Sequence, residues 1–205
     1  MDLWAKAQNC AVLEPERIKH VSGALLAGQT VRYWSPWPVA GETPAGVKKA
    51  DPPEAADFAL TLTPQGGALH LVPRIGVLGV GCRRGTTARQ LEEAFAAFCA
   101  ASGLSPAAVC AAASIDLKKD EPGLAAFCKA HGWPITFYPA DELRAVPGQF
   151  TPSAFVASVT GVDNVCERSA VKASGGMLLL PKTAGGGVTL ALAVRPFAPD
   201  WRTEQ

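Results

Sequence analysis

The sequence predicts an α/β fold, with a three-layer mixed sheet that carries helices on both faces and is preceded by a small α+β segment. The chain has 205 residues, is 48% hydrophobic and has a mean hydropathy of +0.14, which is ample for a packed core. From residue 75 onward, apolar strand-like runs alternate with helix-like stretches, and two strand-like runs close the chain. We therefore expect two domains, at residues 1–74 and 75–205.

The first domain is expected to hold one helix and three strands. Pro15 suits a first helical turn and Gly28 suits a helix end, so residues 14–27 predict a helix. The other expected elements are a strand near residues 30–35, a proline-rich surface loop at 36–53, and a hairpin of FALTLTP and ALHLVPR around Gly66 and Gly67.

The second domain is expected to alternate strands and helices. IGVLGV, residues 75–80, is a continuous apolar run, as in a strand covered on both faces, and a helix follows Thr86. The later elements are expected to be a strand at VCAAASI, a helix from Pro122 to about Ala130, a strand at ITFYP, a short helix begun by Asp141, a helix with Val162, Val165, Cys166, Ala170 and Ala173 in register, and a hairpin of MLLLPK and VTLALAV.

The charge balance argues against a polyanionic macromolecule or a membrane surface as partner. The formal net charge is +1 and the pI is about 7.6, so binding to nucleic acid or to anionic lipid would have to rest on a local patch. No apolar run approaches the roughly 20 residues that span a bilayer, and the first residues lack the pattern of a signal peptide. We expect a cytoplasmic protein with neither nucleic acid nor membrane as partner.

The six cysteines do not predict a metal site. They include no CxxC pair and have no histidine at metal-ligand spacing, so we expect no bound metal and interpret most of them as small buried apolar residues. Cys82 differs, because an adjacent arginine and a following helix start would lower the pKa of its thiol. A reactive thiolate at Cys82 is the alternative to a structural cysteine.

Two loops predict an anion-binding edge of the sheet. GVGCRRGT and IDLKKDEPG each follow a strand expected to be parallel to the other, and the carboxyl ends of parallel strands share one edge. Free amides at the helix start near Thr86 add positive potential there. The loops bring together four cations and three acids, namely Arg83, Arg84, Lys118, Lys119, Asp116, Asp120 and Glu121. The alternative is a pair of charged, solvated turns.

The glycine spacing argues against a nucleotide site. Gly79, Gly81 and Gly85 give G-x-G-x-x-x-G, one residue longer than the dinucleotide fingerprint. A phosphate-binding P-loop would also need a lysine before Thr86, where this chain has glycine. Nucleotide binding therefore stays a minor alternative, which stabilisation by ATP or NAD would support.

Four further stretches resemble one known family. GVGCRRGT, SIDLKKDEPGL, TGVDNVCERSA and LLLPKTAGGGVTLALA occur in the order and spacing of the C-terminal domain of the cobalt-precorrin-5A hydrolases, the CbiG proteins of anaerobic cobalamin biosynthesis. The CobE proteins of the aerobic pathway share this domain. The resemblance covers about residues 75–197, and LEPERIKHVSGALLAGQTV and LHLVPR make residues 1–74 similar to the family's central segment.

The resemblance implies a substrate and a reaction. The family acts on a cobalt-bearing tetrapyrrole fringed with carboxylates, opens the δ-lactone of cobalt-precorrin-5A and releases acetaldehyde to give cobalt-precorrin-5B. The substrate carries the cobalt, so no cofactor is expected. The residues expected to bind this substrate are Gly81, Cys82, Arg83, Arg84, Thr86, Asp116, Lys118, Lys119 and Lys182.

The reaction also needs a base. The leading candidate is Glu167, which lies in the family-like VCERSA stretch on a helix with one apolar face, and Glu121 is the second candidate. Their structural alternatives are a surface ion pair of Glu167 with Arg168 or Lys172, and stabilisation of a first helical turn by Glu121. Complete family members carry a further N-terminal domain, so a separately encoded domain or other pathway enzymes are expected partners. The rival function is a non-catalytic carrier of a tetrapyrrole intermediate.

Overall fold

A computed structural model describes residues 1–202 of the chain, apart from the side chain of Phe155. The helices are α1 (Asp2–Ala7), α2 (Ile18–Leu26), α3 (Ala88–Ser102), α4 (Pro122–His131), α5 (Ala140–Arg144), α6 (Ala154–Thr160) and α7 (Cys166–Ser174). The strands are β1 (Cys10–Val12), β2 (Val31–Trp34), β3 (Val47–Lys49), β4 (Phe58–Leu60), β5 (Leu69–Pro73), β6 (Gly76–Cys82), β7 (Val109–Ile115), β8 (Ile135–Tyr138), β9 (Met177–Gly185) and β10 (Val188–Val194). None of the described helices is both long and apolar enough to cross a membrane.

The chain forms two compact units. Residues 1–74 build the first unit, together with residues 103–108 and the described residues from Phe197 onward. Residues 75–102 and 109–196 build the second unit. Sequence analysis placed residues 103–108 and the residues from Phe197 onward in the second domain, because neither segment has a hydrophobic pattern that indicates a change of unit.

The first unit is built on a five-stranded sheet in the order β1-β5-β4-β2-β3. The hairpin predicted at residues 58–74 is wrong, because β4 and β5 pair in parallel, with Phe58 opposite Leu69. Both strands are buried along their whole length, which is typical of parallel strands covered on both faces. Sequence analysis also missed α1, β1 and β3, which are too short to show a period.

Aromatic side chains fill the core of the first unit. The indoles of Trp4 and Trp201 stack with ring centroids 4.9 Å apart, and Phe58 and Tyr33 pack around them. His70 is buried, with one ring nitrogen 2.9 Å from Glu14 Oε1 and the other 2.9 Å from the Gln65 carbonyl oxygen. Its ring is thus fully engaged within this unit.

The second unit has the mixed sheet that the sequence predicts. Its strand order is β8-β7-β6-β10-β9, with β8, β7 and β6 parallel and β10 antiparallel to both of its neighbours. The predicted closing hairpin is confirmed as β9 and β10. Gly186 and Gly187 form its turn with φ values of +59° and +83°, a conformation that glycine adopts without strain.

The two faces of this sheet carry side chains of different size. Gly79 and the alanine opposite it, Ala191, lie on the face that α7 covers. A Cβ at Gly79 would stand 1.8 Å from the Cys166 carbonyl oxygen, so the start of α7 rests on the bare backbone of β6. Strand alternation puts the larger Leu78 on the opposite face, where α3 packs. The α/β fold with covered sheet faces is therefore confirmed.

The helix predicted through Val162 and Ala173 is two helices. Gly161, with φ of +72°, ends α6, and α7 begins only at Cys166. Val162 and Val165 are buried in the connection, so their apolar spacing continues the pattern of α7 across a break. A left-handed glycine is the usual end of a helix, and Gly161 was the sequence signal for this one.

Candidate functional site

A cleft of about 780 Å³ lies in the second unit, at the carboxyl ends of β6 and β7 and beside the β9–β10 turn. This is the edge of the sheet that strand order predicts for a ligand site. Aliphatic side chains line much of it, namely Ile115, Leu117, Val156, Val159, Val165 and Val188. Leu117 and Val159 are 61% and 62% exposed, so apolar surface is presented to a ligand here.

Three predicted cations line one wall of the cleft, which we call the basic wall: Arg83, Arg84 and Lys118. Both arginines are exposed, and neither forms a salt bridge within residues 1–202. The Arg83 amide donates to the Gly187 carbonyl at 3.0 Å, and a Cβ at Gly187 would stand 2.9 Å from Arg83 Cδ. The glycine turn therefore lets the Arg83 side chain lie directly against the backbone of the turn.

Glu121 joins the two loops of the basic wall. Its Oε2 accepts the Gly85 amide at 2.8 Å and its Oε1 accepts the Lys118 ammonium at 3.2 Å. The hydrogen bond from the Gly85 amide, followed by that from Lys118, lowers the pKa of the Glu121 carboxyl although burial opposes this. Glu121 is 7% exposed and does not line the cleft, which does not fit the predicted role of a base.

Glu167 is fully buried, with 0% exposure, and does not line the cleft. Its Oε1 accepts the Thr151 hydroxyl at 3.0 Å and the Lys182 amide at 2.6 Å. Its Oε2 accepts the Thr151 amide at 2.8 Å and the Asn164 side-chain amide at 2.7 Å. Two donors on each oxygen leave no position for a substrate water, so this geometry speaks against Glu167 as the base. The predicted alternative, a surface ion pair, is also wrong.

Glu167 thereby connects three segments of what we call the polar wall: Thr151 before α6, Asn164 before α7, and Lys182 in β9. Lys182 lines the cleft, as expected for a residue that binds substrate, and its ammonium donates to the Thr151 carbonyl at 3.0 Å. Lys182 therefore faces Arg83 and Lys118 around a common space, although sequence separation gave little indication of this.

Asp163 is a cleft carboxylate that sequence analysis missed. Its side chain is 43% exposed, and its Oδ1 accepts the Arg168 guanidinium at 2.9 Å. Arg168 also donates to the carbonyls of Leu143 and Val146, which anchors the segment after α5. Asp163 belongs to the TGVDNVCERSA stretch, so the motif itself was the sequence signal for this carboxylate.

The remaining predicted residues divide between the cleft and its surroundings. Gly81 and Cys82 line it, and a Cβ at Gly81 would stand 2.3 Å from the Thr189 hydroxyl oxygen. Thr86 is buried outside the cleft, where its hydroxyl donates to the Arg83 carbonyl at 2.8 Å and closes the turn. Asp116 and Lys119 do not line the cleft either, since the turn at residues 116–118 directs only Leu117 and Lys118 into it.

The cleft thiols are not activated. Burial raises the pKa of the Cys82 thiol, and the nearby Lys118 ammonium only partly offsets this. Burial also raises the pKa of Cys166, to about 11. The alternative of a reactive thiolate at Cys82 is therefore wrong. Within residues 1–202, no group of three or more His, Cys, Asp or Glu side chains is arranged to hold a metal ion.

The curated relatives include two cobalt-precorrin-5A hydrolases and protein CobE. A cobalt-precorrin-5A hydrolase of Priestia megaterium is 28% identical over 212 residues, covering 95% of this chain and 56% of that protein. A cobalt-precorrin-5A hydrolase of Salmonella typhimurium is 37% identical over 124 residues, covering 60% and 35%. Protein CobE of Sinorhizobium is 32% identical over 120 residues. The chain thus spans about half, or less, of the length of the two hydrolases.

Solved structures agree with the fold. The crystal structure of CobE, a protein from the cobalamin biosynthetic pathway, is 32% identical and has a TM-score of 0.54, covering 60% of this chain and 92% of that one. A cobalamin biosynthesis protein G homolog from Sulfolobus solfataricus has a TM-score of 0.51 over 96% of this chain. Its 17% identity supports the fold alone.

Family models cover nearly the whole chain. The model described as "Cobalamin synthesis G C-terminus" matches residues 76–193, and the model described as "Cobalamin biosynthesis central region" matches residues 1–77. The first match contains every residue that lines the cleft. The resemblance found in the sequence is thereby confirmed. The chain belongs to the cobalamin biosynthesis protein G family and holds its central and C-terminal regions.

Proposed function

We propose that this chain is a cytoplasmic cobalt-precorrin-5A hydrolase. In this proposal the cleft binds the cobalt-bearing tetrapyrrole, water opens its δ-lactone, and a two-carbon fragment leaves as acetaldehyde. The names of the Priestia and Salmonella relatives support the activity. The substrate supplies the cobalt, so the protein needs no metal or organic cofactor of its own.

The observation that carries the proposal is the pairing of exposed arginines with apolar surface in one cleft. Arg83 and Arg84 form no salt bridge within residues 1–202, while Leu117 and Val159 present aliphatic surface. A tetrapyrrole with acetate and propionate groups has the matching chemistry, an apolar ring inside a fringe of carboxylates. The volume, about 780 Å³, is in the upper part of the range of small-molecule sites, roughly 300–1,000 Å³.

Asp163 is the carboxylate whose position suits a base in this reaction. It lines the cleft and is partly exposed, so a water molecule can lie against it, whereas Glu121 and Glu167 do not line the cleft. The hydrogen bond from the Arg168 guanidinium to Asp163 Oδ1, at 2.9 Å, fixes the orientation of the carboxylate. The Lys118 ammonium lines the same cleft and in this proposal binds the oxygen that becomes negative as the lactone opens.

Anaerobic incubation of the purified chain with cobalt-precorrin-5A, with acetaldehyde measured by a coupled dehydrogenase, tests this function. Asp163→Asn should lower the rate by about 10²–10⁴-fold, the usual contribution of a general base, with little change in binding. Asp120→Asn is the matched control, because Asp120 is exposed and outside the cleft. A wild-type chain that binds the tetrapyrrole without releasing acetaldehyde would contradict the hydrolase.

That outcome would favour a carrier of a tetrapyrrole intermediate. One observation supports this second candidate: the CobE relative matches over 57% of this chain and 78% of its own length, and bears a name without an activity. Carrier function needs the basic wall but not Asp163. Unchanged binding and unchanged pathway flux in Asp163→Asn cells would therefore indicate the carrier.

A further inference from the structure

The edge strand β9 contains a β-bulge at the point where it meets the cleft. Leu190 pairs with Thr183 and Leu192 pairs with Leu180, so Pro181 and Lys182 together stand opposite the single residue Ala191. A bulge of this kind takes a residue out of the ladder and turns its side chain. Here the partner of the Lys182 amide is a side chain and not a neighbouring strand.

The buried Glu167 carboxylate supplies that partner, accepting the Lys182 amide at 2.6 Å. Its other three donors are the Thr151 amide, the Thr151 hydroxyl and the Asn164 side-chain amide. All four donors are uncharged, so Glu167 holds the bulge without forming an ion pair with the Lys182 ammonium. A fully satisfied network of this kind fixes geometry, since leaving any buried member unpaired is costly.

The Lys182 ammonium is therefore held at the cleft without an ion-pair partner within residues 1–202. Its one hydrogen bond within residues 1–202 goes to the neutral Thr151 carbonyl, and it forms no salt bridge there. An ammonium has three N–H donors, which leaves two for a ligand. Lys118, across the cleft, differs because Glu121 accepts one of its donors as an ion pair.

We propose that Glu167 is a positioning residue, which holds the Pro181–Lys182 bulge so that the Lys182 ammonium binds a peripheral carboxylate of the tetrapyrrole. The proposal rests on the proposed function for its ligand class, and it reassigns Glu167 from proton transfer to the placement of a cation. It requires that Glu167 affect binding through Lys182 and not through the reacting atoms. Removing Lys182 must then remove most of the effect of changing Glu167.

A double-mutant cycle tests this, with binding of uroporphyrin I, a stable octacarboxylate tetrapyrrole, measured by absorbance titration. Lys182→Met should raise the dissociation constant about 10- to 100-fold, as expected for loss of a charge-assisted hydrogen bond. Glu167→Gln puts an amide donor against two existing donors and should raise it about tenfold. In the Lys182→Met background, Glu167→Gln should change it by less than about twofold.

Lys172→Met is the matched control, since Lys172 is a cation of α7 that pairs with Glu142 and lies outside the cleft. It should leave the dissociation constant unchanged. Equal effects of Glu167→Gln in both backgrounds would overturn the proposal, as would failure of the wild-type chain to bind uroporphyrin I. Unchanged binding in Glu167→Gln with loss of acetaldehyde release would also overturn it and restore the base. Absence of acetaldehyde release from the wild type, with the cycle as predicted, would contradict only the hydrolase.

Glu167→Asp provides a second cycle if Glu167→Gln does not fold, because it keeps the charge and shortens the reach. It should weaken binding in the wild-type background and not in Lys182→Met. The Lys182 amide should also exchange with deuterium faster in Glu167→Asp than in the wild type. Unfolding of both Glu167 variants, judged by circular dichroism, would show a role in the fold and contradict one in placement.

Discussion

The basic wall and the polar wall of the cleft each depend on one buried glutamate, and the two glutamates differ in what they bind. Glu121 accepts an ammonium and one backbone amide, so it compensates part of the charge of its own wall. Glu167 accepts only uncharged donors, so the cation of its wall, Lys182, has no ion-pair partner within residues 1–202. Burial of a carboxylate therefore does not by itself indicate its task. The charge of its partners does.

Glu167 lies on α7, which packs closely on β6 at Gly79. Gly79→Ala should disrupt this packing and cause the largest loss of stability. The added Cβ would stand 1.8 Å from the Cys166 carbonyl oxygen, and backbone cannot yield as a flexible side chain can. We expect more than about 3 kcal/mol of destabilisation, at or above the upper end of overpacking effects. Urea unfolding followed by far-ultraviolet circular dichroism measures this.

Gly185→Ala is the control for that substitution, because a Cβ there would meet no atom within 4 Å and φ is not positive. Its free energy of unfolding should lie within about 0.5 kcal/mol of the wild type. Equal stability of Gly79→Ala and Gly185→Ala would show that α7 does not rest on β6 as described.

Glu167→Gln should have the next largest effect on stability. The side-chain NH2 of the glutamine would point at N–H or O–H donors that now bond to the carboxylate, in a site with no exposure to water. We expect a loss of about 2–4 kcal/mol, from one or two buried hydrogen bonds to a charged group. Glu121→Gln, at a less buried position, should lose less than half as much. Chemical denaturation of the two variants side by side gives the ratio, and the reverse order would refute the difference drawn between the walls.

Arg83→Met should follow, with an effect on ligand affinity and not on stability. Loss of one charge-assisted contact should raise the dissociation constant for uroporphyrin I by about tenfold and reduce its dependence on salt. Lys119→Met is the matched control, because this exposed cation belongs to the neighbouring loop but does not line the cleft. Equal losses in both variants would indicate a diffuse field instead of a defined wall.

The smallest expected effect is on the loss of stability at acidic pH. The pKa of Glu121 is lowered from 4.5 in the folded chain, so its contribution to stability is present above pH 4.5 and is lost as pH falls below that value. Glu121→Gln should therefore flatten the decline in the free energy of unfolding below pH 4.5, by about 1 kcal/mol for a pair near the surface. Thermal melts from pH 7 to pH 3.5 measure the slope. A steeper decline in the variant would contradict the assigned direction.

The sequence was informative where local rules determine the outcome. Apolar runs and glycine turns located β6, β7 and the closing hairpin, and the rule for parallel strands brought Arg83 and Lys118 to one edge. The burial of Glu167 and its contact with the β9 bulge could not be predicted, because they join segments that are distant in the sequence and no local pattern indicates them. The parallel pairing of β4 and β5 was missed for a similar reason, since a short glycine-containing connection between two strands is typical of a hairpin.

The aromatic core of the first unit has a practical consequence for spectroscopy. Of the five tryptophans, Trp4, Trp34, Trp37 and Trp201 belong to the first unit and only Trp133 to the second. Intrinsic fluorescence therefore reports mainly on the unit without the cleft. A ligand that binds in the second unit would leave the tryptophan emission nearly constant. A thermal melt followed by tryptophan fluorescence would therefore underestimate the stabilisation by that ligand.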